Sequence, residues 1–479
     1  MQIMNDRGSL TLFVTLLLSA VLLFENLFLI SAKERELEWQ LSQLTDQTGD
    51  WILAAYDRDL LDQWGLYAYS TAQANALETS DLSSALTEIQ ERFTMNIQFQ
   101  QNLASTDILK SQILNYITPL YPRLISEIKA RLNAGSDEAE LATAQTGLSE
   151  LLASSDSISQ AAAALAELKD EWGQHSKAAG AAPDQQTQGL TPDQAFLSTD
   201  LLNLLLQQEA LAGNADSLPV LWQEGTIEQG LDKVLQSLST TEALLQKAQR
   251  VSQYAFPIQL YSLLQSTSQL NATAASANTS TESDSLSLRG QDLNKIAVQY
   301  PLELEYLCSG IEQTSARKAA ANLQVYSVRL CLNTFSLLKN ESEMTKLERL
   351  AEVARVMILI VSLGEVQVPA AAIKWLLVLL KANLQAYADW QDLVRGETVR
   401  LMQYQPEQEL AADYRLHLLP FLLIQSETEL LTRLYTVINR RCPGEWFSQV
   451  AVTLDYQTPY GLRKGLRQSF TYVSPVETP

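Results

Sequence analysis

Apolar residues are most concentrated in one continuous run near the start of the chain, LTLFVTLLLSAVLLFENLFLIS at residues 10–31. A helix of about 20 apolar residues is long enough to cross the ~30 Å hydrocarbon core of a bilayer. A cleaved secretory signal is shorter and ends at small residues of the A-x-A kind, which do not follow this run. The pattern therefore predicts a transmembrane helix at 10–31, preceded by a short segment, 1–9, on one side of the membrane.

The helical pattern continues into the charged sequence that follows, because residues 33–64 contain no proline. Apolar positions recur there three, four or seven residues apart, at Leu37, Leu41, Leu44, Trp51 and Ala55. This spacing predicts one apolar stripe along a helix. The stripe packs either on the protein's own domain or on another subunit, and the sequence leaves both interpretations open.

The end of this helix is predicted from glycine and aromatic residues. Gly65 is expected to stop it, and Tyr56 and Trp64 are expected to seat it on the domain. Asp57 and Asp59 are two residues apart and point in different directions on a helix. They are therefore predicted to be helix-end charges or ion-pair partners, not a catalytic acid pair.

Alternation of apolar and polar residues predicts strands in two distant places. In residues 92–100 the apolar positions are Phe93, Met95, Ile97 and Phe99. After residue 442, the apolar alternation at 446–456, the turn TPYG at 458–461 and the segment 469–473 predict a β-hairpin. Since an isolated hairpin is only marginally stable, the strand at 92–100 is its expected third strand.

The remainder is predicted to be helical. Asp107 is expected to cap a helix that two prolines break, and a second helix runs to residue 132. Residues 133–290 are predicted to be a low-complexity, partly mobile helical region with a linker at 271–287. A helical core domain follows at 291–441. Its expected helices are two within 302–338 split near Gly310, a buried hairpin of 357–363 and 370–380, and helices at 383–401 and 409–439. Both apolar pieces of the hairpin are shorter than a bilayer requires, so a buried hairpin is the preferred interpretation and membrane insertion is the alternative.

The predicted fold class is therefore mainly α with a small antiparallel β element. A single N-terminal transmembrane helix (10–31) continues into a long helix within segment 32–132. A large helical domain and a C-terminal β-hairpin with its tail, 442–479, complete the chain.

The chain is strongly acidic, with a formal net charge of −21 and a pI near 4.6. Nucleic-acid binding needs a basic surface, so no nucleic-acid partner is expected. The basic residues that flank the span are Arg7 before it and Lys33 and Arg35 after it, which nominally favours a cytoplasmic C-terminal flank. Because long domains are exported largely regardless of flanking charge, charge leaves the orientation open.

Few residues of the sequence suggest a catalytic, disulfide or metal site. Cys308, Cys331 and Cys442 are too few for a disulfide framework; the first two could pair, but free buried thiols are the preferred interpretation. His175 and His417 have no Cys or His at ligand spacing, so no zinc site is expected. The short motifs of nucleotide hydrolases, metalloproteases and serine hydrolases are missing. We expect no enzymatic activity, no cofactor, no metal and no small-molecule substrate.

Glu25 is the one acidic residue inside the predicted span. An ionisable group in that position is costly and usually faces protein or water. It either contacts another subunit within the membrane or lies near the outer third of the helix, where it reaches the interface or is protonated. The sequence does not choose between these.

Several segments in order along the chain resemble a known family. They are RGSLTLFVTLLLSAVLLFENLFLISA, AAYDRDLLDQWGLYAYS, STDILKSQILNYI, YPLELEYLCSG and the closing QSFTYV. The chain resembles an uncharacterised membrane-anchored family of Gram-positive Tad/Flp pilus loci, itself similar to TadE/TadG-like pseudopilins. The resemblance covers most of the chain outside 133–290.

The resemblance implies a cytoplasmic N-terminus, an extracytoplasmic bulk, and a non-enzymatic role in assembling or decorating a Tad-type filament with other pilus or membrane assembly subunits. Gly8 matches the glycine of prepilin processing, with Ser9 as the new first residue. Phe13 stands where true pilins carry glutamate, which departs from that pattern. Subunit packing is then expected at Glu25, Leu37, Leu41, Leu44 and Trp51. The alternatives are a membrane-tethered sensor or scaffold that binds a partner protein or the cell wall, and an unfamiliar hydrolase.

Overall fold

The computed structural model describes residues 6–70, 93–120, 256–271, 293–361, 369–401, 411–457 and 463–472, with eight isolated positions between 163 and 243. The chain divides into two compact units, one formed by Met1–Tyr116 and Ile438–Pro479 and the other by Ile117–Val437. Several predicted features lie outside the described residues: the helix end at 121–132, most of 133–290 with nearly all of the linker 271–287, and the turn at 458–461.

The first unit is built from a long helix and an antiparallel sheet. Its elements, in chain order, are α1 Asp6–Ala54, α2 Arg58–Trp64, β1 Tyr69–Ser70, β2 Phe93–Asn102, α3 Thr106–Ile117, then β5 Trp446–Gln457 and β6 Arg463–Thr471. The mainly helical fold with a small antiparallel sheet, a long N-terminal helix and a C-terminal hairpin is confirmed.

The central strand of the sheet is β5, which pairs antiparallel with every other strand. Along one edge of β5 lies β2, whose Met95 is opposite Leu454 and whose Ile97 is opposite Val452. Along its other edge lie β6, with Phe470 opposite Val450, and the two residues of β1. The predicted hairpin and its predicted third strand are both confirmed, because the period-two pattern gives each strand one apolar face that must be covered.

The long helix ends earlier than predicted. We expected it to run to Trp64, but α1 ends at Ala54 and a separate helix, α2, begins at Arg58. Asp57 is the N-cap of α2, since its Oδ1 accepts a hydrogen bond from the Leu60 N–H at 2.7 Å. A capping aspartate satisfies an N–H that a helix start leaves free. The helix-end role of Asp57 is thus confirmed, and Gly65 ends α2, not the long helix.

The second unit is helical. Its described elements are α4 Pro257–Gln265, α5 Leu293–Gln299, α6 Glu303–Ser309, α7 Thr314–Lys339, α8 Glu341–Val361, α9 Ala370–Arg395, β3 Val399–Arg400, β4 Ala411–Ala412, α10 Tyr414–Leu423 and α11 Glu427–Arg441, the last of which ends in the first unit. The split near Gly310 is confirmed, because this residue ends α6 in the left-handed conformation with φ of 70°.

Two helix predictions in this unit were wrong. The helices expected at 370–380 and 383–401 are one helix, α9, because no glycine or proline interrupts it before Gly396. Val399 and Arg400 instead pair with Ala412 and Ala411 as two short strands. The single helix expected at 409–439 is divided into α10 and α11, with Asp413 capping the first.

The predicted hairpin of apolar helices is formed by α8 and α9, which pack together. The pairs Lys381–Glu343, at 2.7 Å, and Lys374–Glu348 fix an antiparallel arrangement. Residues Ile373 and 376–380 of α9 are buried within the unit. Among the described residues, α1 alone is long and apolar enough to cross a membrane.

Candidate functional site: the exposed apolar helix and its seat on the sheet

The first part of α1 carries a large apolar surface that the described chain leaves uncovered. Every residue from 12 to 29 is exposed, and Phe24 and Phe28 are 77% and 74% exposed. Soluble monomers rarely display contiguous apolar surface of this extent. By length and composition this helix could span a membrane.

Three polar side chains of this segment form hydrogen bonds with the backbone of α1 itself. Thr15 and Ser19 donate hydrogen bonds to the carbonyl oxygens of Leu12 and Leu16 at 3.0 and 2.8 Å. Asn26 Nδ2 donates to the Leu22 carbonyl oxygen at 2.8 Å. Such bonds to the preceding turn let hydroxyl and amide groups sit in an apolar helix without an unsatisfied donor.

Glu25 lies on the side of α1 that faces away from the sheet. Trp39, fourteen residues further along the same unbroken helix, is 61% exposed. Fourteen residues are close to four turns at ~3.6 residues per turn, so the two side chains share a face. Leu41, which the sheet covers, lies on the opposite side. The structure therefore leaves the Glu25 face available for another molecule.

The second part of α1 packs on the buried face of the sheet. Leu41 is in a core cluster with Leu454 and Tyr456, and Leu37 and Leu44 pack against it. Further along, Ile52 packs in a second cluster with Val450 and Val452. Leu37, Leu41 and Leu44 thus contact the chain's own sheet, which is the first of the two interpretations of the stripe.

The stripe differs from the predicted one after Leu44. The buried positions are Thr45, Thr48, Gly49 and Ile52, whereas Trp51 is 50% exposed. Thr45 and Thr48 reach the buried face because their hydroxyls donate to the carbonyl oxygens four residues before them. A pattern search that counts only apolar residues passes over such positions.

Polar contacts fix the position of the C-terminal hairpin, β5 and β6, along the length of α1. Lys464 Nζ lies 2.6 Å from Glu34 Oε1 and 2.9 Å from Glu38 Oε1. The Tyr456 hydroxyl donates to Glu38 Oε1 at 3.2 Å. The hydrogen bond from Lys464 lowers the pKa of Glu38, against a smaller opposing effect of burial. The same end of the sheet is therefore held beside residues 34–38 of the helix.

Aromatic residues pack together beyond the end of α1, where Tyr56, Trp64 and Gly65 lie. Tyr56 contacts Tyr67 edge-on, with ring centroids 5.8 Å apart. Trp64 is fully buried, and the Arg441 guanidinium lies 4.5 Å from its ring centroid. At Gly65, φ is 70° and a Cβ would lie 2.4 Å from the Tyr116 ring, so this turn requires glycine.

The second unit contains a buried polar segment between α4 and α6 that the sequence did not reveal. Glu303 Oε2 accepts a hydrogen bond from the Thr267 N–H at 2.9 Å. Glu305 Oε1 accepts one from the Gln269 N–H at 2.7 Å. Glutamates two apart on a helix normally point to different sides, and here both are buried because every residue of α6 except Ser309 is buried.

The same segment is held from its other side by Arg415 on α10. Its Nη2 donates to the carbonyl oxygens of Leu263 and Ser266, both at 2.6 Å. Burial raises the pKa of Glu305 to about 7, against smaller lowering effects of the Gln269 hydrogen bond and the Arg415 charge. This is a cross-link between helices.

A second buried ionic group joins α7, α9 and β3. Arg329, which is fully buried, pairs with Asp389 and donates Nη1 to the Arg400 carbonyl oxygen at 3.0 Å. Asn333 Nδ2 donates to the same carboxylate at 2.7 Å. A buried charge needs such complete pairing. The group therefore acts as a structural cross-link between α7, α9 and β3.

The remaining candidate residues do not converge. Cys308, Cys331 and Cys442 are free and buried, which confirms the preferred interpretation. Burial lowers the pKa of His417 to about 3, so it is neutral at physiological pH, and His175 lies outside the described residues. Within the described ranges, no group of three His, Cys, Asp or Glu side chains could hold a metal ion.

Gly8 and Ser9 lie in the first turns of α1, and their surroundings are outside the described part of the chain. Comparison of the chain with family models, with curated proteins and with solved structures found no match.

Proposed function

We propose that this protein is a non-enzymatic, membrane-anchored structural or assembly component of a Tad/Flp-type pilus or secretion apparatus. In this proposal residues 10–31 cross the membrane, the N-terminus is cytoplasmic, and the bulk of the chain is extracytoplasmic. Its partners are other pilus or membrane assembly subunits.

The observation that carries the proposal is the continuity of α1. One helix without a break joins an apolar segment exposed on all sides to a segment seated on the sheet. A helical rod of this kind transmits the position of the membrane segment to the folded unit, because no hinge separates them. A rigid link of this kind supports the interpretation as an assembly component, because the folded part of such a component must keep a fixed position relative to neighbouring subunits.

Subunit contact is assigned to the face of α1 that the sheet leaves free. Leu37, Leu41 and Leu44 are occupied by the chain's own sheet, so the proposal places contact at Glu25 and Trp51 instead. A carboxylate inside a membrane is stabilised by a partner group. A neighbouring helix of the assembly is the proposed source of that group.

The test is the variant Glu25→Leu, expressed in cells and isolated from membranes with its associated proteins. We expect loss of co-isolated subunits, while thermal unfolding of the variant remains that of the wild type. The matched control is Glu36→Leu, which removes another exposed glutamate of α1 beyond the span. Unchanged co-isolation with Glu25→Leu contradicts the proposal.

Processing at Gly8 is tested by sequencing the N-terminus of the protein recovered from membranes. A start at Ser9 favours a subunit that enters a filament, and a start at Met1 favours a permanently anchored assembly factor.

A membrane-tethered sensor or scaffold is the second candidate. It is favoured by the occupation of the apolar stripe within the chain, which leaves α1 with fewer positions for neighbouring subunits. A protein of this kind would be isolated from membranes without pilus subunits, and Glu25→Leu would not alter its associations.

A further inference from the structure

The outer side of β2 is a free edge of the sheet. Among the described strands β2 pairs with β5 and with no other. Its ten residues, FTMNIQFQQN, include no charged residue and no proline. Natural proteins usually protect a sheet edge with such residues, because an unpaired strand is a template for pairing with another chain. The sequence of β2 therefore leaves this edge open to a further strand.

The apolar row of β2 is incompletely covered. The helix α1 packs on β5 and β6, whereas β2 lies on the far side of β5. Met95, Ile97 and Phe99, which share the face of the sheet that α1 covers, are only half-buried. On the opposite face, Asn96 and Gln98 are exposed and uncharged. A strand added at this edge would extend an apolar face on one side and a polar face on the other.

The opposite edge of the sheet is formed mainly by β6, which pairs with β5 alone among the strands that the structure describes. It runs in the same direction as β2, because both strands are antiparallel to β5. Unlike β2, it carries basic residues, at Arg463, Lys464 and Arg467. Like charges on neighbouring strands are destabilising, so these residues oppose the pairing of two copies of β6. The uncharged β2 presents no like charge to them.

Membrane anchoring would give all copies of the chain one orientation. The helix α1 runs opposite to β5, since Leu41 packs beside Leu454 and Ile52 beside Val450. An antiparallel pair of two β2 strands would point the two anchors in opposite directions. A parallel pair of two β2 strands would join the apolar face of one sheet to the polar face of the other. Pairing of β2 with β6 of the next copy keeps the anchors parallel and joins like faces.

We propose that β2 pairs in parallel with β6 of a second copy of this chain, so that neighbouring copies stand side by side along the membrane. This inference rests on the proposed membrane anchoring, and it identifies one partner in the assembly as another copy of the chain. Each copy offers a different edge to each neighbour, and such heterologous contacts generate rows or rings. The neighbour's α1 then lies beside the half-buried row of β2 and covers part of it.

Anchoring at one depth also predicts the register of the contact. Gln98 on β2 and Ser469 on β6 both lie opposite Ala451 of β5, so they stand at one level of the sheet. Within one chain they are two strand spacings apart, roughly 10 Å, which exceeds the ~7 Å limit between the Cα atoms of a disulfide. Across the proposed contact the strands are ~4.8 Å apart. A disulfide between these positions therefore reports a contact between copies.

The test is the double variant Gln98→Cys/Ser469→Cys of the full chain, oxidised with a copper reagent in isolated membranes and analysed by non-reducing electrophoresis. The native cysteines are free and buried, so the wild type gives the background. We expect a ladder of dimers and higher oligomers from the double variant and monomers from each single variant. Thr94→Cys/Ser469→Cys is the matched control. Its β2 position is exposed on the same face but ~13 Å further along the strand, so it should stay monomeric.

A positive charge on the edge of β2 should weaken the contact. Asn96 and Arg467 both lie opposite Thr453, so Asn96→Lys would set a lysine beside Arg467 of the next copy. Added to the double cysteine variant, this substitution should reduce the ladder several-fold, because like charges on paired strands repel. Gln47→Lys, on the exposed side of α1, should leave the ladder unchanged. Circular dichroism of each variant checks that the fold is retained.

Absence of the ladder in chain recovered from membranes overturns the strand contact and leaves the membrane anchor intact. Dimers from Gln98→Cys alone overturn it in favour of a pair of β2 strands. A cross-link of Gln98→Cys to a different protein overturns it in favour of a foreign strand at this edge. A chain that does not sediment with membranes contradicts the anchor itself, and the side-by-side arrangement with it.

Discussion

The ring of Phe470 lies directly against Gly49 of α1, so close that a Cβ on Gly49 would be 2.4 Å from the ring. Gly49 is in the interior of a helix, where glycine costs roughly 1 kcal/mol relative to alanine. That cost is offset because a residue without a side chain lets the helix pack closely against β6. The contact is the clearest point at which the sequence of α1 is adapted to the sheet.

Substitution of Gly49 by leucine should lower the free energy of unfolding by about 1–2 kcal/mol. Overpacking costs about 1–3 kcal/mol, and the better helix propensity of leucine returns part of it. Chemical denaturation followed by circular dichroism measures the change. Gln47→Leu, at an exposed position of the same helix, is the control and should be nearly neutral.

A double-mutant cycle separates the contact from other effects of the substitution. In the Phe470→Ala background, Gly49→Leu should be much less destabilising, because the ring that it displaces has been removed. Additive effects of the two substitutions would show that Phe470 is not what excludes a side chain at Gly49.

Glu305 should make the stability of the protein depend on pH. Burial raises its folded-state pKa to about 7, above the value near 4.3 of an unfolded glutamate. Between these values the folded state holds a proton that the unfolded state has lost. This group's contribution to stability is therefore fully present below pH ~4 and is lost as the pH rises to about 7.

The measurement is urea unfolding of the wild type and of Glu305→Gln at pH 5, 6, 7 and 8. Glutamine keeps an acceptor for the Gln269 N–H and has no charge to desolvate, so it should gain stability relative to the wild type by roughly 2–4 kcal/mol across this interval. The groups around the carboxylate are Tyr414 and Arg415 on α10, Cys308 on α6 and the Gln269 amide. A difference that does not vary with pH would contradict the titration of Glu305.

Asp389→Ala should be strongly destabilising, because it leaves the fully buried Arg329 without its counter-charge. Breaking a buried ion pair from one side costs about 3–5 kcal/mol. Equilibrium denaturation gives the value directly.

The control for this variant is Asp392→Ala, three residues further along α9. Asp392 pairs with Arg395 at 3.4 Å on the surface, where ion pairs contribute about 0–1 kcal/mol. Similar losses in the two variants would show that Arg329 finds other compensation.

Strand and hairpin positions could be predicted because period-two alternation maps directly onto a sheet with one buried face. The pairing of β2 with β5 across more than three hundred residues followed from the need of a hairpin for a third strand. The end of α1 could not be predicted in the same way, since the cap formed by Asp57 competes locally with continuation of an otherwise helical sequence.

The stripe on α1 shows the limit of apolar patterns. Leu41 was expected in the stripe and is buried, but Trp51 is half-exposed while Thr45 and Thr48 are buried. Threonine enters a buried face when its hydroxyl bonds to the preceding turn, and glycine when the partner comes close. The cross-links of Glu305 and Arg329 were not predicted either, because charged residues are expected at the surface until the packing of several helices is known.

The central claim, that α1 anchors the chain with its bulk outside the cytoplasm, is tested most directly by proteolysis of intact cells. A protease that cannot cross the membrane is added, and peptides from 93–120 and 411–457 are quantified before and after lysis. The account predicts that both sets are released from intact cells while the fragment containing residues 10–31 stays in the membrane. Peptides that are protected until the cells are lysed would contradict it.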